Sequence, residues 1–312
     1  MDTTKEKPKY LVNYIGRMHR YDWQLWVLLF PTLLFFILFH YLPIYGIQIS
    51  FRDYKAVFGI TGSKWVGLKN FTDFFNSYYF GRLLSNTFLL NIFALFWSFP
   101  IPIIMAILIN QLGQTKFKGF VQTTIYVPHF ISTVVMVGML HLFLAPSSGI
   151  VNMLMVMIGL QPVYFMAEPS WFRTLFIGSD IWQHAGWGTI LYIATLAGVD
   201  PELYEAATVD GANKIQKIWH IDVNHLLPIA IIMLILNCGH LLASNTDKAL
   251  LMKTAANSSK ADIIGVYVYE MGLGRAQFSY TSAIGLFTNV INFITILIVN
   301  YISKKFSETS LF

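Results

Sequence analysis

The chain alternates long apolar stretches with shorter polar ones, and the lengths of the apolar stretches set the first expectation. A helix rises about 1.5 Å per residue, so about 20 mainly apolar residues cross the hydrocarbon of a bilayer. Six stretches meet or approach that length: residues 23–45, 84–109, 120–144, 172–197, 226–243 and 283–302. Lipid offers backbone N–H and C=O groups no outside partner, so stretches of this kind predict helices. The fold class that follows is an all-α integral membrane protein of about six transmembrane helices, and an even number puts both termini on one side. The fifth stretch is short and holds Asn237, Gly239 and His240. A further apolar stretch, 149–160, is too short to cross and predicts a helix at the interface or against the bundle. Proline recurs inside the stretches, at Pro31, Pro43, Pro100, Pro102 and Pro128. Each removes a backbone hydrogen bond and predicts a kink.

The polar stretch after the fourth apolar one has its own local order. Asp200 can cap a helix whose first position is Pro201, where a missing N–H costs nothing. Glu202 and Glu205 then lie near the positive end of that helix. Asp210-Gly211 reads as a stop, because glycine takes left-handed backbone angles without steric cost. Asn213 and Gln216 have the spacing of a capping box and predict a second helix. Two short helices around a glycine fit a docking element for a soluble partner or a well-capped connecting loop, and composition alone does not choose.

Composition supports the membrane assignment. Hydrophobic residues make up 55% and charged residues 12%, where soluble domains average about a quarter charged. Charge does not settle orientation. Lys5, Lys7, Lys9, Arg17, Arg20, Lys116, Lys118, Lys214, Lys217, Lys304 and Lys305 lie on one expected side. Arg52, Lys55, Lys64, Lys69, Arg82, Lys248, Lys253, Lys260 and Arg275 lie on the other, so the positive-inside signal is nearly balanced. The first stretch follows a polar segment without a small-residue cleavage site and predicts an uncleaved anchor. With one cysteine, Cys238, there is no intramolecular disulfide. No basic stripe interleaved with aromatics suggests nucleic acid binding. The loops 50–83 and 244–282 are the longest on their side, and Trp65, Gly67, Phe71, Phe74 and Phe75 in the first suit ordered surface structure or interfacial anchoring. No repeat or linker divides the chain, giving an N-terminal segment 1–22, a membrane domain 23–303 with the loop 200–225, and a tail 304–312.

Glu205-Ala206-Ala207, Asp210-Gly211-Ala212, Gln216 and Trp219-His220-Ile221, ending at Leu226-Leu227-Pro228, resemble the EAA loop of ABC-importer permeases. In that family the loop is a coupling helix seated in a groove of a cytoplasmic ATPase. The resemblance therefore implies a docking role for Glu205, Ala206, Ala207, Asp210, Gly211 and Ala212. Glu205 would anchor the loop by ion pairing, the alanines would allow close approach, and Gly211 would set the bend. The chain departs from the pattern at Ile218, where an aromatic is usual, and at Asn224, where proline is common. Five further motifs follow in family order: Phe39-His40-Tyr41-Leu42-Pro43-Ile44-Tyr45-Gly46, Trp65-Val66-Gly67-Leu68-Lys69-Asn70-Phe71, Tyr126-Val127-Pro128-His129-Phe130-Ile131-Ser132, Trp187-Gly188-Thr189 and Gly285-Leu286-Phe287. Together they are similar to the branch of carbohydrate-uptake permeases that handles oligosaccharides and polysaccharide fragments. After the fifth stretch, relatives tend to have an aromatic-acidic turn where this chain reads Ser244-Asn245-Thr246-Asp247-Lys248. The resemblance implies an ABC type I importer permease fold in a bacterial inner membrane, with the loop and both termini cytoplasmic. The implied partners are a second homologous permease, two ATPase subunits, an extracytoplasmic solute-binding protein and an oligosaccharide substrate.

Polar residues within a span usually face a partner, a cavity or a pathway. Gln183, His184, Trp187 and Tyr192 lie in the fourth stretch, Asn237 and His240 in the fifth, and Asn289 in the sixth. Aromatic faces stack on sugar C–H groups, and amides or imidazoles bond hydroxyls, so these residues are candidates for a sugar pathway. They equally suit interhelical hydrogen bonds of about 1 kcal/mol each. The histidines are scattered, without H-E-x-x-H, paired cysteines or a carboxylate cluster, and suggest no metal. No P-loop or G-x-S-x-G is present, so no catalytic residue or cofactor is expected. Three rivals remain: an importer for a peptide or polyol, a membrane scaffold or sensor that docks an ATPase, and a membrane-embedded enzyme.

Overall fold

Residues that must satisfy their own backbone groups in an apolar setting form helices over most of the chain. The computed structural model describes residues 23–113 and 115–306. The expected N-terminal segment 1–22 and residues 307–312 of the expected tail lie outside them. The chain divides into two units at Leu68/Lys69.

In the first unit, α1 runs from Trp23 to Phe51. It passes through Pro31, widens into a π-turn at Ile37–Tyr41 and tightens to 3-10 geometry over Tyr45–Phe51. The wide turn lies where Pro43 has no N–H to give the Phe39 carbonyl. The loop that follows is ordered. β1 (Arg52–Asp53) pairs antiparallel with β2 (Lys64–Trp65), Arg52 opposite Trp65. Arg52 Nη1 donates to the carbonyls of Thr61 and Ser63, and Trp65 stacks on Phe51. This short hairpin is the exception to the all-α expectation.

The second unit contains α2 (Lys69–Phe75), α3 (Phe80–Asn110), α4 (Lys116–Phe130), α5 (Thr133–Phe143), α6 (Ile150–Met157) and α7 (Pro169–Ala197). Then come α8 (Pro201–Val209), α9 (Lys214–Cys238), α10 (Thr246–Met252), α11 (Ser258–Ala261), α12 (Ile264–Tyr269) and α13 (Phe278–Phe306). Among the described residues, α1, α3, α9 and α13 are long and apolar enough to cross a membrane, and a bent pair would make five.

Two of the six expected spans therefore differ from simple apolar rods. The third breaks into α4 and α5, bent by 97°. Pro128 tightens the end of α4 to 3-10 geometry, Ile131 and Ser132 are extended, and the Ser132 hydroxyl restarts a helix by accepting from the Val135 N–H. The fourth, α7, has 29 residues but falls outside the apolar set. Arg173, Asp180, Gln183 and His184 lie along it. It is nevertheless the interior helix, burying Phe172, Phe176, Gln183, Gly186, Thr189, Tyr192 and Leu196.

The boundaries of the fifth span also shift. It starts at Lys214, inside the expected loop 200–225, because the Asn213–Gln216 capping box starts a helix that does not stop. It ends at Cys238, so His240, expected within the fifth span, lies beyond the helix. That turn is pinned from both sides: Asn292 Oδ1 on α13 accepts from the Leu242 N–H, and Asn91 Nδ2 on α3 donates to the Leu241 carbonyl. Proline acts as expected in α3, which is interrupted by a turn at Phe99 just before Pro100. The short apolar stretch 149–160 forms α6 as a separate helix.

Within lipid, helices gain little from burying apolar surface against one another, so close packing through small residues matters more. Gly186 on α7 lies against the backbone of Ile125 on α4, leaving no room for a Cβ. Gly186→Ala should lower the thermal unfolding temperature of the detergent-purified protein, at a cost of about 1–3 kcal/mol. Gly239→Ala, whose Cβ would meet mainly the flexible tip of Ile296, should cost less.

Candidate functional site: a capped helix pair and a polar cavity

The stretch between α7 and α9 folds as its local signals dictate. Asp200 caps α8 by accepting from the Glu202 N–H at 3.0 Å, with Pro201 at the first helical position. Gly211 has φ +77° and turns the chain, while the Ala212 N–H donates to the Ala207 carbonyl. Asn213 and Gln216 exchange hydrogen bonds of 2.9 and 2.7 Å as a full capping box. Lys217 Nζ donates to Thr208 Oγ1 across the bend. Glu205, Ala206, Asp210 and Gly211 are exposed, and Ala207 and Ala212 are half-buried. Val209, Ile215 and Trp219 add exposed apolar surface to the same two helices. Glu205 makes no ion pair among the described residues.

Beneath this element lies Asp222, in the π-turn Ile218–Asp222 of α9 and with no exposed surface. It accepts from Tyr204 on α8 and from Gln111 at the end of α3. Burial, and then the Asp222 carboxylate, push the Tyr204 phenol well above its ordinary value, so it remains a donor.

A cavity of ≈ 330 Å³ opens between α3, α7 and α9. Asn91, Ser98, Asp180, Tyr192, Asn237 and His240 line it together with Phe99. Three of the expected pathway residues, Tyr192, Asn237 and His240, thus come together. The others lie elsewhere. Gln183 is buried, its Nε2 donating at 2.6 Å to the Ile131 carbonyl in the break between α4 and α5. Trp187 stacks on His129 at 4.4 Å, and the His184 ring lies 5.4 Å from the His129 ring. These three brace the broken span, although Trp187 keeps an exposed edge. Asn289 is exposed on α13 and does not line the cavity.

Two side chains beside the cavity were misjudged in the sequence: Asp180 was not singled out, and Lys248 was counted only as a loop charge. Lys248 belongs to α10, yet its side chain is buried. Its Nζ donates to the Phe176 carbonyl at 2.9 Å, lies 3.4 Å from Asp180 Oδ1, and sits over the Phe176 ring. His184 Nδ1 approaches the same Asp180 oxygen at 3.3 Å. Burial pulls the Lys248 amine below its ordinary value, opposed by the Asp180 charge. The missed signal was Asp180 itself, because a carboxylate inside an apolar stretch requires a counter-charge from somewhere. Lys253 and Arg82, also counted as loop charges, are paired too. Lys253 binds Asp262 at 2.8 Å and Glu270 at 2.6 Å, and Arg82 binds Asp262 at 2.7 Å. Burial lowers the Lys253 amine, but Asp262 and Glu270 raise it by more.

Residues 77–308 match a family described as "Binding-protein-dependent transport system inner membrane component". The chain is 40% identical over 301 residues to Protein LplB of Bacillus subtilis (strain 168), covering 96% of this chain and 94% of that one. It is also 40% identical over 309 residues to the polygalacturonan/rhamnogalacturonan transport system permease protein YteP of the same organism, covering 99% and 95%. Among solved structures, a chain of a bacterial alginate ABC transporter, in complex with alginate pentasaccharide-bound periplasmic protein, matches with a TM-score of 0.86. Its identity is 35%, over 95% of this chain and 99% of that one.

Lys248 is buried and the half-buried Asp180 is its counter-charge, so losing either side of the pair costs stability. Lys248→Met should lower the unfolding temperature, and adding Asp180→Asn should recover part of the loss. A double-mutant cycle on thermal unfolding should give a coupling of about 0.5–3 kcal/mol.

Proposed function

This chain belongs to the binding-protein-dependent transport system inner membrane components, the permease subunits of ABC importers, and from that membership we propose that it carries oligosaccharides across a bacterial inner membrane. It is a transport component, not a catalyst. The observation that carries the reading is continuity: the exposed docking element at α8 and the start of α9 runs without interruption into the helix that lines the polar cavity.

In this reading α1, α3, the α4–α5 pair, α7, α9 and α13 make six crossings, and α8 and both termini are cytoplasmic. The chain pairs with a second homologous permease. Two ATPase subunits serve the permease pair, one of them engaging α8, and an extracytoplasmic binding protein delivers the sugar. ATP binding draws the ATPases together and moves α8, and α9 and α3 tilt so that the cavity changes the side it faces. Asn91, Asn237, His240 and Ser98 bond hydroxyls, with the buried Tyr192 forming part of the wall behind them. A volume of ≈ 330 Å³ falls at the lower end of ligand pockets, roughly 300–1,000 Å³, enough for part of a chain at a time. Gln183, His184 and Trp187 act at one remove, by holding the break between α4 and α5 beside that path. The sugar class rests on the names of YteP and of the alginate transporter, both of which handle polysaccharide-derived substrates. Residues 23–303 serve as the permease domain.

The experiment is uptake of labelled oligosaccharide into vesicles containing the full complex, driven by enclosed ATP and by loaded binding protein outside. Uptake that requires both supports the reading, and a complex that hydrolyses ATP but accumulates no sugar overturns it. Gly211→Asp places a side chain at φ +77° and adds a carboxylate to the docking bend. The variant should insert normally yet lose ATP-driven uptake. Full uptake would remove Gly211 from coupling.

A further inference from the structure

Asp222 joins three elements through one side chain. It sits in the wide turn of α9, and its Oδ1 accepts from Tyr204 Oη on α8 at 2.5 Å. Its Oδ2 accepts at 2.9 Å from Gln111 Nε2, one residue past the end of α3. Around these groups an apolar cluster of Ala106, Tyr192, Leu196, Val199 and Leu226 takes in Ile221 and the Tyr204 ring. Water has no access to the carboxylate, so both oxygens depend on donors carried by other helices. Besides this packing of the Tyr204 ring beside Ile221 and Leu226, α8 and α9 are tied at the surface by the Gly211 bend and the Lys217–Thr208 bond. Surface bonds of long side chains resist little displacement.

We propose that Asp222 is a positioning residue for coupled transport: the Tyr204–Asp222–Gln111 clamp makes α8, α9 and the end of α3 move as one body. The inference rests on the permease reading. It assigns to a buried carboxylate the task of passing displacement of α8 to the two helices that, with α7, enclose the cavity. A turn of π geometry in α9 fits the role, because it swings Asp222 under α8 without ending the helix. If the clamp were merely structural, its loss would reduce the amount of folded complex and leave the work done per ATP unchanged.

The test uses the complete complex in vesicles and reads sugar uptake and ATP hydrolysis in the same sample. Tyr204→Phe removes one hydroxyl and no bulk. Asp222→Asn keeps shape and can still accept a bond. Each should assemble, keep basal ATP hydrolysis, and lower uptake per ATP about tenfold, as expected from losing one charge-assisted bond. The double variant should be no worse than the poorer single one, since both remove the same linkage. Unchanged uptake per ATP in Tyr204→Phe overturns the clamp, as does a double variant whose losses multiply. If Asp222→Asn fails to assemble, Tyr204→Phe alone decides. Gly211→Asp separates the two levels: uncoupling there with normal Tyr204→Phe removes only the clamp, whereas a parent complex without ATP-driven uptake removes the permease reading itself.

Discussion

A carboxylate in an apolar bundle has to be given donors by the protein, because lipid supplies none. Two such groups organise this structure. Asp222 draws Tyr204 and Gln111 together beneath α8. Asp180, midway along α7, is met by Lys248 from α10. Asp222 is served from other helices, and Asp180 by Lys248 from far along the chain as well as by its neighbour His184, so each carboxylate ties together elements that chain connectivity leaves loose. The cavity lies between these two tied points, lined by α3, α7 and α9.

That arrangement accounts for the unusual character of α7. It is the least lipid-like of the long helices and the most enclosed. Its polar groups are divided by face: Tyr192 and Asp180 turn to the cavity, while Gln183 and Trp187 turn to the break between α4 and α5. A broken span beside a cavity is tolerated because the freed Ile131 carbonyl meets Gln183 instead of lipid. Gly186 and Gly188 let α4 and α3 approach closely enough for these contacts to form.

What was legible in the sequence followed from local rules. Asp200, Pro201, Gly211, Asn213 and Gln216 act within four residues of their own positions, and every one of those caps and turns is present. The places of four spans were legible because hydrocarbon thickness sets a minimum length, although Pro128 produced a break where only a kink was expected and α7 is too polar to join the set. The start of α9 was misread because a capping box marks where a helix begins and says nothing of where it ends. The cavity was half legible. Tyr192, Asn237 and His240 converge, but polarity alone does not distinguish a side chain facing a cavity from one bonding a neighbouring helix, as Gln183 does. Lys248 was read as a loop charge because its partner lies far back in the chain, and Asp222 was not singled out at all, because nothing local distinguishes it from a surface carboxylate.

The central claim is that the cavity beside Asn237 changes the side it faces when the ATPases close on α8. The most direct measurement places a lone cysteine there, Asn237→Cys with Cys238→Ala, in the assembled complex in lipid. A membrane-impermeant thiol reagent is then applied from each side, with and without trapped nucleotide. Reaction from the α8 side without nucleotide, and from the opposite side with nucleotide trapped, is the predicted result. Reaction from one side only, unchanged by nucleotide, would contradict the account.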